Sequence, residues 1–133
     1  MPSNLDLVAG GYEAFAHGDP SAVFELFDEA MEWYTPDELP WGGAFHGRED
    51  VIRFFQELPR HYEELSVQPR RFLDAGDAVV VEGRYAGRVN GRDFKVAFAH
   101  VWTFREGRAV RGREYLDSGK LLRRMTEHGT ATA

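Results

Sequence analysis

Two short turns in the second half of the chain, Asn90-Gly91 and Arg105-Glu106-Gly107, separate segments in which bulky apolar residues recur at every second position. Asn-Gly between such segments is a strong signal for a two-residue β-hairpin turn. Alternation with a period of two indicates strands that bury one face. The sequence therefore predicts an antiparallel β-meander, with strands at about residues 66–73, 78–88, 94–104 and 109–116.

The Asn90-Gly91 turn determines which residues of the second and third predicted strands lie opposite each other. A two-residue loop at this point pairs Val81 with His100 and Val79 with Trp102. Residues two positions apart in a strand point to the same side of the sheet. These four side chains are therefore expected to share one face.

The second turn permits two registers for the last predicted strand. A two-residue turn places Arg111 and Arg113 on the face that carries the aromatic residues. A three-residue loop with Gly107 in a bulge pairs His100 with Gly112 and turns both arginines outward. Burying two arginines without matched anions is costly, so we predict the three-residue loop.

This register assigns each strand residue to a face. The predicted inner face holds mostly apolar residues with one histidine and one glutamate: Val79, Val81, Tyr85, Val96, Phe98, His100, Trp102, Val110, Glu114 and Leu116. The centre of the outer face is small and apolar, with Ala97, Ala99 and Val101 surrounded by charges of both signs. Such a strip suits a homodimer interface, which we expect, although a solvated face has the same composition.

Helical spacing characterises the first half of the chain. Leu5, Val8, Tyr12 and Phe15 recur at the period of a helix, with Ser3 as the N-cap. A short second helix is predicted from residue 19 to residue 27, and a third from about residue 48 to residue 58. A strand at 30–35 and a loop at 36–47 lie between them. Helices followed by an antiparallel sheet predict an α+β fold with helices on one face.

Composition excludes several classes of protein. The 133 residues favour one domain, which we place at 1–128 with a disordered tail at 129–133. The net charge of −6 argues against nucleic acid or an anionic membrane as a partner. The chain has no cysteine, so disulfides and zinc–thiolate sites are excluded. With neither an apolar span nor a secretory signal in the sequence, a cytoplasmic protein is expected.

Three stretches carry a resemblance to a known family: "FELFDEAMEWYTP", "LPWGGAFHGREDVIRFFQEL" and "HVWTFREGRAVRGREYLD". They resemble the SnoaL-like branch of the nuclear transport factor 2-like superfamily, which also contains ketosteroid isomerase and limonene epoxide hydrolase. The resemblance implies a cone, in which a curved, mostly antiparallel sheet wraps around three helices and encloses an apolar pocket. It also implies dimers, often formed through the outer sheet face.

The resemblance also assigns roles to particular positions. His100 corresponds to a pocket acid or histidine of relatives, and Glu114 to an acid/base aspartate of polyketide cyclases. The general base of ketosteroid isomerase corresponds to about Thr35, and its oxyanion-binding tyrosine to about Gly11, one step from Tyr12. The epoxide hydrolase requires acidic chemistry at His100. Neither of these two activities is therefore carried over to this sequence.

His100 and Glu114 form the strongest candidate for a catalytic pair. The predicted strands place them on one face, close enough for a diagonal hydrogen bond. An imidazole and a carboxylate in an apolar pocket can add or remove a proton next to a carbonyl group. A buried polar pair without any chemistry remains the alternative interpretation.

Candidate ligand-binding residues come from the aromatic side chains. The set comprises Tyr12, Trp33, Tyr34, Trp41, Phe45, Phe54, Tyr85, Phe98 and Trp102, and we add Asp117 as a second acid at the end of the last strand. Core packing explains most aromatic residues equally well, and Asp117 also fits a solvated strand end. Trp41 is the exception, because it lies in a Pro- and Gly-rich loop with no predicted helix or strand to bury it.

These observations predict a pocketed α+β domain that binds a small apolar molecule bearing a carbonyl or hydroxyl group. The favoured activity is acid/base catalysis of a cyclisation or isomerisation, with Glu114 as base and His100 bonding to an enolate. No cofactor is expected. No metal is expected either, since the five histidines show no ligand spacing. The alternatives are a non-catalytic ligand-binding protein and an interaction protein that acts through its outer sheet face.

Overall fold

The computed structural model describes residues 2–126 of the chain. This part contains six strands and four α-helices. The strands are β1 (Phe27–Thr35), β2 (Gly43–His46), β3 (Glu64–Ala75), β4 (Ala78–Val89), β5 (Arg92–Arg105) and β6 (Arg108–Leu116). The helices are α1 (Asn4–Ala16), α2 (Ser21–Phe24), α3 (Arg48–Glu57) and α4 (Ser118–Thr126), and a 3₁₀ helix covers Leu58–His61. The predicted α+β class is confirmed.

The strands form one sheet in the order β2-β1-β6-β5-β4-β3. β1 runs parallel to β6, and every other neighbouring pair is antiparallel. The long strands β4 and β5 alternate between buried and exposed residues, as expected of a sheet with one covered face. Helices α1 and α3 pack against this sheet, through β3 and β1 respectively.

Helix α1 begins where the sequence predicts. The Ser3 hydroxyl accepts a hydrogen bond from the backbone N–H of Asp6 at 3.0 Å, and the Asp6 carboxylate accepts one from the backbone N–H of Ser3 at 3.2 Å. This reciprocal capping box satisfies two N–H groups that the first turn leaves without partners. The cap fixes the start of the helix that carries Tyr12.

Three local predictions in the rest of the chain are wrong. The second helix ends at Phe24, and Phe27 instead begins β1, where the Leu26 carbonyl accepts a hydrogen bond from the Ala109 N–H. Residues Gly43–His46, predicted as loop, pair with β1 as a short edge strand. Helix α4 was not predicted, and the Asp117 carboxylate accepts the backbone N–H of Lys120 in its first turn at 3.2 Å. The tail predicted at 129–133 lies outside the described residues.

The hairpin between β4 and β5 has the predicted register. Val81 lies opposite His100, and Val79 lies opposite Trp102. Asn90 and Gly91 have φ values of 54° and 74°, in the left-handed region that a tight hairpin turn of this kind requires. The inner face of these two strands is therefore as predicted.

The hairpin between β5 and β6 has a different register from the predicted one. Its turn contains two residues, Glu106 and Gly107, at φ values of 52° and 77°. A bulge follows, because Thr103 pairs with Arg111 while Phe104 pairs with Ala109. The extra residue on β6 shifts the pairing that the two-residue turn would otherwise impose.

Beyond the bulge the predicted faces are correct although the predicted pairs are wrong, whereas before it Ala109 is buried and not the predicted Val110. His100 lies directly opposite Glu114, and Gly112 lies opposite Trp102 instead of His100. Gly112 and Glu114 are buried, while Arg111 and Arg113 are exposed. The cost of burying unpaired arginines selected the correct face, even though the loop length deduced from it was wrong.

At Gly112, the backbone of β6 passes directly against the aromatic rings of the core. A Cβ atom at this position would overlap the Trp33 ring and would lie 3.3 Å from Cε3 of Trp102. Both tryptophans are buried, so neither ring can move away without disturbing its neighbours. The absence of a side chain therefore allows the two rings to meet over β6.

Replacing Gly112 with alanine should destabilise the fold by about 1–3 kcal/mol, the usual cost of overpacking a core. Gly10→Ala is the matched control, because a Cβ atom there meets nothing within 4 Å and α1 gains a better helix former. Urea unfolding of the two variants measures the difference in unfolding free energy. Equal stability of the two would contradict the described packing at Gly112.

The outer sheet face keeps an apolar strip in solvent, as the sequence suggests. Ala97 is exposed, Ala99 and Val101 are half-buried, and the neighbouring Tyr115 is 52% exposed. Charged pairs of both signs lie on this side, including Arg71 with Glu82 at 3.0 Å. We propose that a second copy of the chain covers this face, because mixed charges allow the same surface to meet itself.

A charged residue in the strip should dissociate such a dimer. Ala99→Arg places a cation at its centre, and sedimentation should then show a 15 kDa monomer where the parent sediments as a dimer. Glu13→Arg, on the exposed side of α1, is the control for added charge and should stay dimeric. A monomeric parent at micromolar concentration would contradict the proposal.

Candidate functional site

A partly open cavity of about 60 Å³ lies between the helices and the inner face of the sheet. Its wall is mostly apolar, with residues from the helices and the strands: Val8, Phe15, Val23, Phe24, Phe27, Phe55, Leu58, Val67 and Phe104. The lining residues with polar side-chain groups are Tyr12, Tyr85, His100 and Trp102. Apolar walls with a few converging polar groups are typical of a small-molecule site.

A chain of hydrogen bonds connects these polar residues. The Trp102 indole N–H donates to the Tyr12 hydroxyl at 3.0 Å. The Tyr12 hydroxyl is hydrogen-bonded in turn to Nδ1 of His100. On the other side of the ring, Nε2 of His100 lies 3.0 Å from Oε2 of Glu114. The chain thus runs from the cavity wall into the core.

Tyr85 closes the network at its inner end. Its hydroxyl donates to Oε2 of Glu114 and lies 2.9 Å from Nε2 of His100. His100 is 4% exposed and Glu114 is 5% exposed, so the buried carboxylate depends on these two partners. The predicted pair is therefore adjacent, through direct cross-strand pairing and not the diagonal contact that the sequence suggested.

Glu114 is not among the described residues that line the cavity, whereas His100, Tyr12 and Tyr85 are. A ligand in the cavity would therefore meet the two hydroxyl groups and the imidazole first. The carboxylate can act on such a ligand only through them.

The rings around His100 hold it in place. Phe98 stacks on the imidazole with a centroid distance of 4.2 Å, and Trp33 meets it edge-on at 5.5 Å. Gly83 makes room for this stack, since a Cβ atom there would lie 2.9 Å from Cζ of Phe98. The sequence around His100 thus fixes the plane of the imidazole before any ligand binds.

Burial raises the pKa of three tyrosines near this site. The pKa values of Tyr12 and Tyr85 are raised well above the ordinary value, chiefly because the hydroxyls are removed from water, and the negative charge of Glu114 raises them further. The same two causes raise the pKa of Tyr62. The hydroxyls of all three therefore remain protonated at neutral pH and can serve as hydrogen-bond donors.

Three of the predicted binding residues lie within the core. Trp33, Phe98 and Phe54 are buried, and the Trp33 ring donates its N–H to the Thr35 hydroxyl at 2.7 Å. None of the three is among the described residues that line the cavity beside His100. Trp33 and Phe98 act on the site by packing against the His100 ring.

Trp41 lies in a different cavity from the one expected. A second and more open cavity of about 380 Å³ is lined by Trp41, Phe45, Asp50, Arg53, Phe54, Glu57 and His61. The Trp41 ring stacks on His61 at a centroid distance of 4.5 Å. His61 and α3 thus cover an aromatic residue for which the sequence suggested no partner.

Two other predicted site residues point away from the His100 cavity. Tyr34 packs under the guanidinium group of Arg113, 4.1 Å from its ring centre, on the outer side of the sheet. Asp117 is exposed and caps α4. Adjacent residues of a strand point to opposite faces of the sheet. Tyr34 therefore points outward, because its neighbour Trp33 points inward.

Tyr85 is a predicted pocket residue whose hydrogen-bonding role the sequence analysis missed. Its signal was present, since the Asn90-Gly91 register placed it on the inner face with His100. A tyrosine on an apolar inner face needs a partner for its hydroxyl. His100 and Glu114 are the polar residues predicted on that face, so the contact could have been anticipated.

Within residues 2–126, no group of three His, Cys, Asp or Glu side chains is placed to hold a metal ion. No helix in the same range is long and apolar enough to cross a membrane.

Tyr12, Tyr62 and Tyr85 should not ionise when the folded protein is titrated through about pH 10, the ordinary pKa of tyrosine. Replacing Tyr12 with phenylalanine should then leave the phenolate absorbance change near this pH unchanged. A smaller change in the variant would show that Tyr12 ionises normally.

The same shifts predict how stability depends on pH. A pKa raised in the folded state contributes stability that is complete below about pH 10 and is lost as the pH rises above it. The unfolding free energy should therefore fall in this alkaline range, and less steeply in Tyr12→Phe. An equal slope in parent and variant, measured by urea unfolding at several pH values, would contradict the buried state of Tyr12.

Comparisons with known proteins agree with this architecture. Residues 8–112 match the family model of the SnoaL-like domain. The chain is similar to an NTF2-like protein of unknown function from Burkholderia pseudomallei, with 34% identity, coverage of 95% of this chain and 99% of the other, and a TM-score of 0.85. Among curated proteins, none matches the sequence significantly.

Two further solved structures are similar over most of their length. An NTF2-like protein from Burkholderia thailandensis has 27% identity, covers 95% of this chain and 99% of its own, and has a TM-score of 0.87. TerC, co-crystallised with polyporic acid, has 25% identity, covers 92% and 97% of the two chains, and has a TM-score of 0.81. By its sequence match and its NTF2-like fold, the chain belongs to the SnoaL-like domain family.

Proposed function

We propose that this protein binds a small, neutral, mostly apolar molecule with a carbonyl or hydroxyl group in the cavity beside Tyr12 and His100. We further propose that it transfers a proton to or from that molecule without a cofactor, as in an isomerisation or cyclisation. The observation that carries the proposal is the hydrogen-bond chain from Tyr12 through His100 to Glu114, which begins at the cavity wall.

The wall of the cavity favours a neutral ligand. No Lys, Arg, Asp or Glu is among the described residues that line it. An ionised group without a partner of opposite charge is costly to remove from water. A neutral molecule with one polar group would instead place that group at the hydroxyls and its remaining surface against the apolar wall.

The chain supports acid/base chemistry with divided roles. Tyr12 and His100 would contact the ligand, and Glu114 would hold the proton that leaves it or supply the proton that it receives. Positioned groups of this kind accelerate proton transfer by about 10²–10⁴-fold. Glu114 therefore keeps the role of base that the sequence suggested, although it acts through His100 and not by touching the ligand.

The comparison with TerC supports a small organic molecule as the ligand class, because that similar protein was crystallised with polyporic acid.

A non-catalytic binding protein is the second candidate. One observation favours it: both ring nitrogens of His100 already have partners, at Tyr12 on one side and at Tyr85 and Glu114 on the other. A network satisfied in this way could simply stabilise the core. Turnover measurements on matched variants separate the two candidates.

Glu114→Gln should lower turnover by about 10²–10⁴-fold while ligand affinity changes only a few-fold, because the amide keeps the shape and loses the basicity. Glu82→Gln is the matched control, since Glu82 is exposed and pairs with Arg71 on the outer face. Substrates would be sought by thermal-shift screening of hydroxylated aromatics, polyketide-like ketones and terpenoids. Unchanged turnover in Glu114→Gln would exclude the acid/base role, and binding without turnover in the parent would favour the second candidate.

Trp41→Ala tests which of the two cavities holds the ligand. Since Trp41 lines only the second cavity, its loss should leave affinity within a few-fold if the ligand sits beside His100. A large loss of affinity, measured by calorimetry, would instead place the ligand in the cavity of Trp41, where a stacking surface would have been removed.

A further inference from the structure

Two different kinds of group end the hydrogen-bond chain at His100. The indole N–H of Trp102 can only donate, and a carboxylate can only accept. Between them lie the Tyr12 hydroxyl and the His100 imidazole. With a carboxylate at Glu114 and a neutral imidazole, every group is satisfied only if Nε2 of His100 carries the proton and Tyr12 donates to Nδ1.

This arrangement assigns a position to every proton in the chain. Trp102 donates to the Tyr12 oxygen at 3.0 Å, and the Tyr12 proton is directed to Nδ1 of His100. The imidazole proton is on Nε2 and is directed to Glu114 at 3.0 Å. The Tyr85 hydroxyl proton is also directed to Glu114. None of these protons is left to donate to a ligand.

We infer that the site recognises its ligand by accepting a hydrogen bond from it, so that the ligand carries a hydroxyl or enol O–H and not a bare carbonyl. The inference rests on the proposed ligand site and narrows its ligand class. Tyr12 and Tyr85 both line the cavity, and with their protons engaged by His100 and Glu114 their oxygens can offer a ligand only lone pairs. A carbonyl compound would have to draw the Tyr12 proton away and leave Nδ1 unpaired in the core.

The same direction defines a proton path for such a ligand. The ligand O–H bond would break as its proton passes to the Tyr12 oxygen, while the original Tyr12 proton passes to Nδ1. The Nε2 proton would then pass to Glu114, so that the imidazole ends neutral, with its proton on Nδ1. The ligand is left as an oxyanion that accepts a hydrogen bond from Tyr12, and Glu114 is left as a carboxylic acid. Every proton moves one bond along the chain.

The resting direction can be measured without any ligand. Nitrogen-15 NMR of the histidine side chains distinguishes a protonated from an unprotonated ring nitrogen, and the His100 signals are identified by their loss in His100→Asn. At neutral pH we expect a proton on Nε2 only. A proton on Nδ1, or on both nitrogens, would overturn the inferred direction whatever the protein catalyses.

The ligand class is tested with cyclohexanol and cyclohexanone, which are matched in size and differ in the ability to donate. NMR titration of the parent should show cyclohexanol binding about three- to tenfold more tightly, the effect of one hydrogen bond. Tyr12→Phe removes the main acceptor oxygen and should bring the two affinities together.

Each outcome bears on one statement. A parent that prefers cyclohexanone, or a Tyr12→Phe variant that keeps the preference for cyclohexanol, would overturn the acceptor role of Tyr12. If neither compound at millimolar concentration shifts the Tyr12 or His100 signals, the proposed ligand site fails together with the ligand class. Loss of turnover in Glu114→Gln without a preference for the alcohol would keep the proposed function and remove only this inference.

Discussion

A buried carboxylate must be surrounded by donors, and much of this site follows from meeting that requirement at Glu114. An ionised carboxylate in the core is tolerated only where hydrogen bonds replace its lost water. Here its partners are the Tyr85 hydroxyl from β4, which donates to it, and Nε2 of His100 from β5, the strand next to β6. A change that separates these strands would leave the charge of Glu114 unpaired. The site therefore depends on the register of the sheet.

The register depends in turn on one extra residue. The bulge after the Glu106-Gly107 turn moves the pairing along β6 by one position, which brings Glu114 opposite His100. Without the bulge, Arg113 would occupy that place and would enter an aromatic core. Bulges near functional sites commonly re-aim a side chain in this way. Together, the turn and the bulge determine that Glu114 is buried and that Arg113 is not.

Two glycines allow aromatic rings to enclose the pair. Gly83 leaves room for the Phe98 ring beneath His100, and Gly112 leaves room for Trp33 beside it. Close packing removes water from around the imidazole and lowers the local dielectric, which strengthens its hydrogen bonds. The apolar side chains of the site therefore contribute to its electrostatics as well as to its shape.

The sequence predicted the elements of the fold better than the position of each aromatic side chain. Period two and the Asn90-Gly91 turn carry enough information to place His100, Val81 and Trp102 correctly. The second turn does not, because a bulge is compatible with either loop length and leaves no distinct residue signature. Trp41 shows the other limit: its partner His61 is twenty residues away along the chain, and only tertiary packing brings the two rings together.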